Sequence, residues 1–348
     1  MQRVGWLAGC VVAAAAVVLP VALGAQIAQA PASPSSAPSA RESAAPPSQA
    51  AVERAAAILA DARQALGGDA LAAVKTIVAT GRTRRVRGNN LQPIEFEMTI
   101  ELPDKYVRTD EFPAEATDPT TTGFNGETLI ARPERGRGPA PAAGRGAPPA
   151  GAARGAAAPD PQQARVLAAK QDFVRFALGF LPGSFDTYPL TFAYAAEARA
   201  PQGTADVLDV TGAGGFAARL FIDRTTHQPI MVSWHLPPTS VIVTVPGAPA
   251  PDTVAPGVVM VMGPPPPADG ASQADKDAYA KAVGELRDRT QKAPVEHRLY
   301  FADYRAQDGV TFPFRLRRAI GVDTTEETTF DRFRINTRID PRKFDVSD

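Results

Sequence analysis

The sequence predicts a mainly β protein of the α+β class: one large antiparallel sheet of about eleven strands with two or three helices. Three observations lead there. Segments alternating apolar with polar residues recur along the chain, and a period of two puts the apolar side chains on one face of a strand. Short turn signals join nearly all of these segments, as antiparallel neighbours allow. Helical spacing is confined to a few stretches. A sheet that long must curl, close or be covered by its helices.

At 348 residues the chain could hold two domains, but its 34 prolines and 28 glycines cluster in stretches that cannot build a core. Basic and acidic side chains balance at 37 each, which argues against a nucleic-acid or other polyanionic partner. Arg3 and the run Val11 to Leu23 read as a secretory signal, cleaved after Ala25 or after Ala30, with Ala25 preferred because Pro31 follows the later site. An uncleaved anchor is the other reading, although the apolar run is short for a span of ~20 residues. Leu7-Ala8-Gly9-Cys10 spells a lipidation signal, but it precedes the apolar run instead of following it, so lipid anchoring is not expected. Cys10 is the only cysteine, and a cleaved chain has no disulfide or thiol chemistry. The expected address is the periplasm.

Residues 26–50 are an Ala/Pro/Ser tether. Ala51 to Leu66 has helical spacing and ends at Gly67-Gly68, with a short second helix from Ala70 to Lys75. Thr76 to Val86 follows as a strand. Ile94, Phe96, Met98, Ile100 and Leu102 then alternate with Glu95, Glu97, Thr99 and Glu101, the clearest strand in the chain. Pro103-Asp104 turns into Tyr106 to Glu111, and Asn125-Gly126 breaks Thr121 to Ala131 into a hairpin. Residues 133–161 contain Gly, Ala, Pro and Arg without a large apolar group and read as a disordered insertion. Gln162 to Phe180 is a helix whose apolar face includes Phe173, Phe176 and Phe180. Strands resume at 190–197, 205–211, 217–223, 230–235 and 240–245. Residues 246–273 are a second Pro-rich insertion, in which Val258 to Met262 could pair with a sheet edge. A charged helix, Ala274 to Lys292, precedes strands at 295–304, 310–318 and 325–335. Both insertions interrupt one run of strands, so residues 51–348 read as one domain.

An ordered series of phrases resembles the lipoprotein-carrier fold of the LolA and LppX family of exported proteins. It runs from Ala65-Leu66-Gly67-Gly68 and Thr80-Gly81, through Pro103-Asp104-Lys105-Tyr106 and Gly123-Phe124-Asn125-Gly126, to Phe221-Ile222-Asp223 and Thr226-His227-Gln228-Pro229. It ends in Asp308-Gly309-Val310 and Phe333-Arg334-Ile335-Asn336, leading to Ile339-Asp340-Pro341. The resemblance implies a strongly bent, unclosed half-barrel around helices, with an apolar cavity that accepts acyl chains. Ile94, Phe96, Met98 and Ile100 would line it. So would three further rows: Phe216, Leu220 and Ile222; Ile230, Val232 and Trp234; Val310, Phe312 and Phe314. Phe173, Phe176 and Phe180 would belong to a lid. Arg82, Arg84 and Arg108 are the candidates for the family's characteristic arginine and for holding a head group. The Ala/Pro/Ser tether and the two insertions depart from the family pattern.

Each inward row is equally what a plain core requires. For the basic run Arg82 to Arg87, a solvated face paired with Glu95, Glu97 and Glu101 is the alternative to contact with anionic head groups. His227, His235 and His297 are too dispersed for a local metal site, so no metal is expected. No nucleophile motif is present, and Gly212-Ala213-Gly214-Gly215 joins two strands with no helix to hold a phosphate. The expectation is an exported carrier or sensor of lipids or lipidated proteins, not an enzyme, without cofactor, probing no nucleic acid and monomeric. The alternative is a non-carrier envelope module of the same fold that docks on a membrane protein.

Overall fold

The computed structural model describes residues 46–87, 90–115, 117–132, 160–201, 203–247 and 257–345. The expected signal, nearly all of the tether and residues 133–159 lie outside them. Helix α1 (Gln49–Ala65) starts where the Ser48 hydroxyl accepts from the Ala51 amide, and it buries Ala55, Leu59 and Ala62 at helical spacing. It stops at Gly67 and Gly68, both at positive φ, and a single turn α2 (Asp69–Ala72) leads into the sheet.

The main sheet has twelve strands, all antiparallel. They are β1 (Thr76–Arg87), β2 (Asn90–Glu101), β3 (Lys105–Glu111), β4 (Thr120–Asn125), β5 (Thr128–Arg132), then, after helix α3 (Pro161–Ala177), β6 (Leu190–Ala200), β7 (Gly203–Gly212), β8 (Phe216–Asp223) and β9 (Pro229–Leu236). A side excursion follows, made of β10 (Ser240–Thr244), β11 (Val258–Met262) and α4 (Gln273–Lys292), before β12 (Val295–Gln307), β13 (Val310–Ile320) and β14 (Asp323–Ile335). The spatial order is β5-β4-β3-β2-β1-β14-β13-β12-β9-β8-β7-β6, so the first strand pairs with the last, and among the described residues β5 and β6 are the two edges. This is an open half-barrel. One helix shows how far it bends: Phe173 of α3 touches Tyr106 of β3 and Phe124 of β4, while Arg175 lies over Phe216 of β8 and Trp234 of β9.

Three expectations need correction. Val258 to Met262 does pair, but in parallel with β10 in a separate two-stranded ribbon and not with the main sheet, so the Pro-rich segment 246–273 contains a strand. The main sheet, with twelve strands, agrees with the expected sheet of about eleven, but 240–245 is not among them. The hairpin at Asn125-Gly126 turns one residue later, because Asn125 pairs with Thr128 and leaves Gly126, at φ +56°, and Glu127 at the centre. Helix α4 buries none of its residues, which fits its charged sequence, and a Ser272/Asp275 capping box starts it.

Candidate functional site

The register places residues of matching parity in continuous rows across the concave face. Ile100 lies opposite Ile77, Met98 opposite Ala79 and Phe96 opposite Gly81, which in turn lies opposite Phe330. On the far side Leu220 lies opposite Val232, and Val232 opposite Leu299. Phe96, Met98, Ile100, Phe216, Leu220, Trp234, Phe312 and Phe314 are all buried in one apolar cluster. Ile94 is buried too, but its neighbour across the ladder is Thr83, whose hydroxyl lies 2.8 Å from that of Thr328. Ile230 departs from the expected row. Leu220 pairs with Val232 and Ile222 with Pro229, so Ile230 is the extra residue of a β-bulge and is exposed.

Helix α3 fills the concavity. Phe173 packs on Tyr106 at 5.0 Å and Phe124 at 5.6 Å, and Phe176 on Phe180 at 4.8 Å. Phe180, just past the helix end, reaches Phe312 at 6.0 Å, which stacks on Phe333 at 4.4 Å. Phe173 and Phe180 are buried and Phe176 is half-buried. Burial of Tyr106 in this aromatic nest pushes its hydroxyl pKa up to about 12. A space of about 10 Å³ is left beside Phe173, Phe124 and Tyr188, close to the volume of one water molecule.

Two close approaches seat α3. At Gly179 a Cβ would lie 2.0 Å from the Phe301 ring, so only glycine lets the helix exit touch β12. The Tyr304 hydroxyl lies 2.7 Å from the Gly179 carbonyl and 2.6 Å from that of Pro229, tying the exit to β9 and β12. At the other seat Gln171 donates to the carbonyls of Ala213 and Gly214 in the β7–β8 turn. The Gly212-Ala213-Gly214-Gly215 phrase is thus a hairpin turn, and it also receives the helix.

Of the three candidate arginines, two do not face the concavity. Arg82 projects from the convex face, with 70% of its side chain exposed and Asp331 at 3.9 Å, and Arg84 shares its parity and exposure. Neither is placed to hold a head group inside the concavity. Alternation points Arg85 inward instead, opposite Gln92 on β2 and Glu326 on β14. Arg108 does lie on the concave face: it donates to Asp110 at 2.6 Å and to Thr83 at 3.1 Å, with its guanidinium 4.2 Å above Phe96. Arg85 donates to Glu326 at 2.6 Å, and Arg318 pairs with the other oxygen of Glu326 at 3.7 Å.

Helix α3 itself contributes two cations beneath the cover. Lys170 is buried and pairs with the exposed Glu127. Arg175 has 7% of its side chain exposed and pairs with Asp172 at 3.1 Å. Its guanidinium lies 5.0 Å from the Trp234 ring and 5.2 Å from Phe216, and burial lowers its pKa. Arg318 lies 5.8 Å from the same indole, and His297 stacks on it at 5.5 Å. Burial, then Arg318 and Arg175, hold the His297 pKa below its usual value. Sequence reasoning missed this corner. Its signal was the lone Arg175 inside the apolar run Phe173 to Leu178, since a helix apolar nearly all round is buried all round.

On the convex face, a cleft of about 280 Å³ is lined by Arg82, Glu95, Glu97, Glu111 and Asp331 among others. Among the described residues, no three or more His, Cys, Asp or Glu gather as metal ligands, and no helix is long and apolar enough to cross a membrane.

Fold and site together define a class: an open antiparallel half-barrel whose concave, mostly apolar face is plugged by a helix carrying buried cations. No protein-family description and no curated protein matches the chain. Among solved structures it is similar to a LolA superfamily protein from Nitrosomonas europaea, at 10% identity and a TM-score of 0.41, over 83% of this chain and 96% of that one. A domain described as an outer membrane lipoprotein-sorting protein from Vibrio parahaemolyticus gives 8% identity and a TM-score of 0.39, over 84% and 97%. A DUF1329 family protein from Desulfovibrio piger gives 10% and 0.40, over 84% and 97%.

Proposed function

We propose that the protein is an exported carrier or sensor that binds the acyl chains of lipids or lipidated proteins on its concave face. The observation that supports this reading most is the make-up of the plug. A helix serving only as core would fill the concavity with apolar groups, yet α3 buries Lys170 and Arg175 there, each paired with an exposed carboxylate. An apolar floor with buried cations beside it suits an amphiphile. No bond is made or broken; binding is transfer from water.

Entry requires displacement, because the space left beside Phe173, about 10 Å³, is far smaller than a chain. Withdrawing Phe173 and Phe176 costs about 1.5–3 kcal/mol each, whereas each buried methylene contributes about 0.8 kcal/mol. An acyl chain of a dozen carbons therefore outweighs the two rings. Phe180 stays behind, held beyond the helix end near the Tyr304 anchor.

The filled interior favours a second reading, a regulatory module of the same fold that docks on a membrane protein and carries nothing. Native mass spectrometry of the gently purified exported protein, with solvent extraction, separates the two. Co-purifying phospholipid or acylated peptide supports the carrier. A bare protein that also takes up no fluorescent fatty acid sinks it.

A further inference from the structure

Around the indole of Trp234, three groups able to carry positive charge converge from three elements. Arg175 comes from α3, Arg318 from β13 and His297 from β12, each within about 6 Å of the ring centre. Among the described residues, the acids paired with them are Asp172, which holds Arg175, and Glu326, which is shared between Arg318 and Arg85. Three guanidiniums thus meet two carboxylates, and one of these, Asp172, is mostly exposed. The donors are also underused. The Nε of Arg175 and the Nε1 of Trp234 are buried and find no hydrogen-bond partner among the described residues. A buried donor left unmet is costly, so two in one corner call for a physical reason.

We propose that Arg175, Arg318, Trp234 and His297 form an oxyanion subsite that takes the phosphate or carboxylate head of an amphiphile whose chain enters beneath α3. An oxyanion here would accept from both orphaned N–H groups and add the missing negative charge. Charge-assisted hydrogen bonds of this kind are the strong ones, and a guanidinium offers a fork of donors that matches an oxyanion. Stacked on Trp234, His297 would gain a proton beside the anion and become a further donor; the charged and titratable groups facing it are Arg318, Arg175, Asp172 and His235. The subsite also explains why the cover helix tolerates a buried arginine. The same position filled by an apolar side chain would pack at least as well but could not recognise a head. The inference rests on the amphiphile reading above and adds the charge of the head.

The test compares three probes on the exported protein carrying Trp6→Phe, so that Trp234 is the sole tryptophan whether or not the expected signal is removed. The probes are didecanoyl phosphatidylglycerol, the uncharged didecanoylglycerol, and inorganic phosphate. Trp234 fluorescence and calorimetry follow binding. The anionic lipid is expected to bind at least about tenfold more tightly than the uncharged one, the scale of one charge-assisted hydrogen bond. Arg175→Met should collapse that preference to about twofold or less, and Arg175→Lys should restore part of it. Arg318→Gln, at a position about one-third exposed, should reduce the preference while Arg85 still holds Glu326. Equal affinity for the two lipids overturns the subsite while leaving the amphiphile reading intact. Failure of both lipids overturns both. Inorganic phosphate binding as tightly as the anionic lipid overturns the placement of a lipid head. An Arg175→Met chain that cannot fold, with Arg318→Gln retaining full selectivity, makes Arg175 a strut and overturns the proposal.

Discussion

Two regions lie under the same helix and obey different rules. Around Phe312, aromatic rings close on one another: Phe333 stacks at 4.4 Å and 7°, and Phe180 lies at 6.0 Å. Around Trp234, itself buried, the fold encloses an arginine and two N–H groups that find no hydrogen-bond partner among the described residues. The first region is what a sheet's inner face must do to be stable. The second gives up stability, and groups that cost stability without holding the fold are where binding chemistry is found.

The sharpest way to break this comparison is to empty the first region. Phe312→Ala should cost about 3–5 kcal/mol, because a fully buried ring is lost where its stacked partner cannot follow. Urea unfolding would read this as a lower midpoint at unchanged slope. A loss below 1 kcal/mol would mean the rings enclose space that collapses freely, and the region would not be the stabilising core. Next in size is Gly179→Ala, which drives a methyl to 2.0 Å from the Phe301 ring. Overpacking of that kind costs about 1–3 kcal/mol. It should also loosen the exit of α3, visible as faster amide exchange in residues 173–181 than in β12.

The second region should respond in the opposite sense. Arg175→Met removes a buried charge and leaves Asp172 mostly exposed, able to hydrate. Stability should be unchanged or rise, by up to about 1–4 kcal/mol as found when buried ion pairs are replaced by apolar groups. Thermal unfolding of the two proteins side by side decides this. A marked fall in Tm would make the two regions alike, both structural.

Sequence made one region readable and hid the other, for reasons that can be located. The alternation from Ile94 to Leu102 reveals an inner face because every second residue is apolar. In β1 the run Ile77-Val78-Ala79 is apolar on both sides, so alternation separates Arg82 and Arg84 from Arg85 without saying which set turns inward. Parity was settled only by pairing with Phe96 and Phe330. The bulge that ejects Ile230, and the departure of β10 into its own ribbon with β11, depend on partners far along the chain and leave no local trace. The Trp234 corner gathers residues from α3, β12 and β13, which only the bend of the sheet brings together.

A smaller effect follows from His297. In the unfolded chain its imidazole takes a proton near pH 6.5, and in the fold burial and the neighbouring arginines move that to lower pH. Between the two values the unfolded state binds more protons, so stability falls as pH drops through 6.5 and is recovered above it. Measuring unfolding midpoints at pH 5 and 8 in the parent and in His297→Gln isolates the contribution, which should vanish in the variant. Chemical-shift titration should place His297 below 6.5; a value above that would mean an acid partner dominates the corner, and the surplus of positive charge there would be gone.

The smallest effect separates Arg82 from Arg85, residues three apart on one strand. Arg82 faces solvent on the convex side and meets Asp331 only at 3.9 Å, so Arg82→Ala should change stability by less than about 0.5 kcal/mol. Arg85 sits on the concave side at 2.6 Å from Glu326, with Arg318 on the other carboxylate oxygen. Arg85→Ala leaves Glu326 to Arg318 alone, which draws that guanidinium away from Trp234 and should weaken binding of an anionic amphiphile where Arg82→Ala does not. Equal loss of binding in both variants would mean that the arginines act through the general field of the strand and not through the face they occupy. Titrating both proteins at low and high salt distinguishes these, because a diffuse field is screened within a Debye length of about 8–10 Å while a contact on the covered face persists.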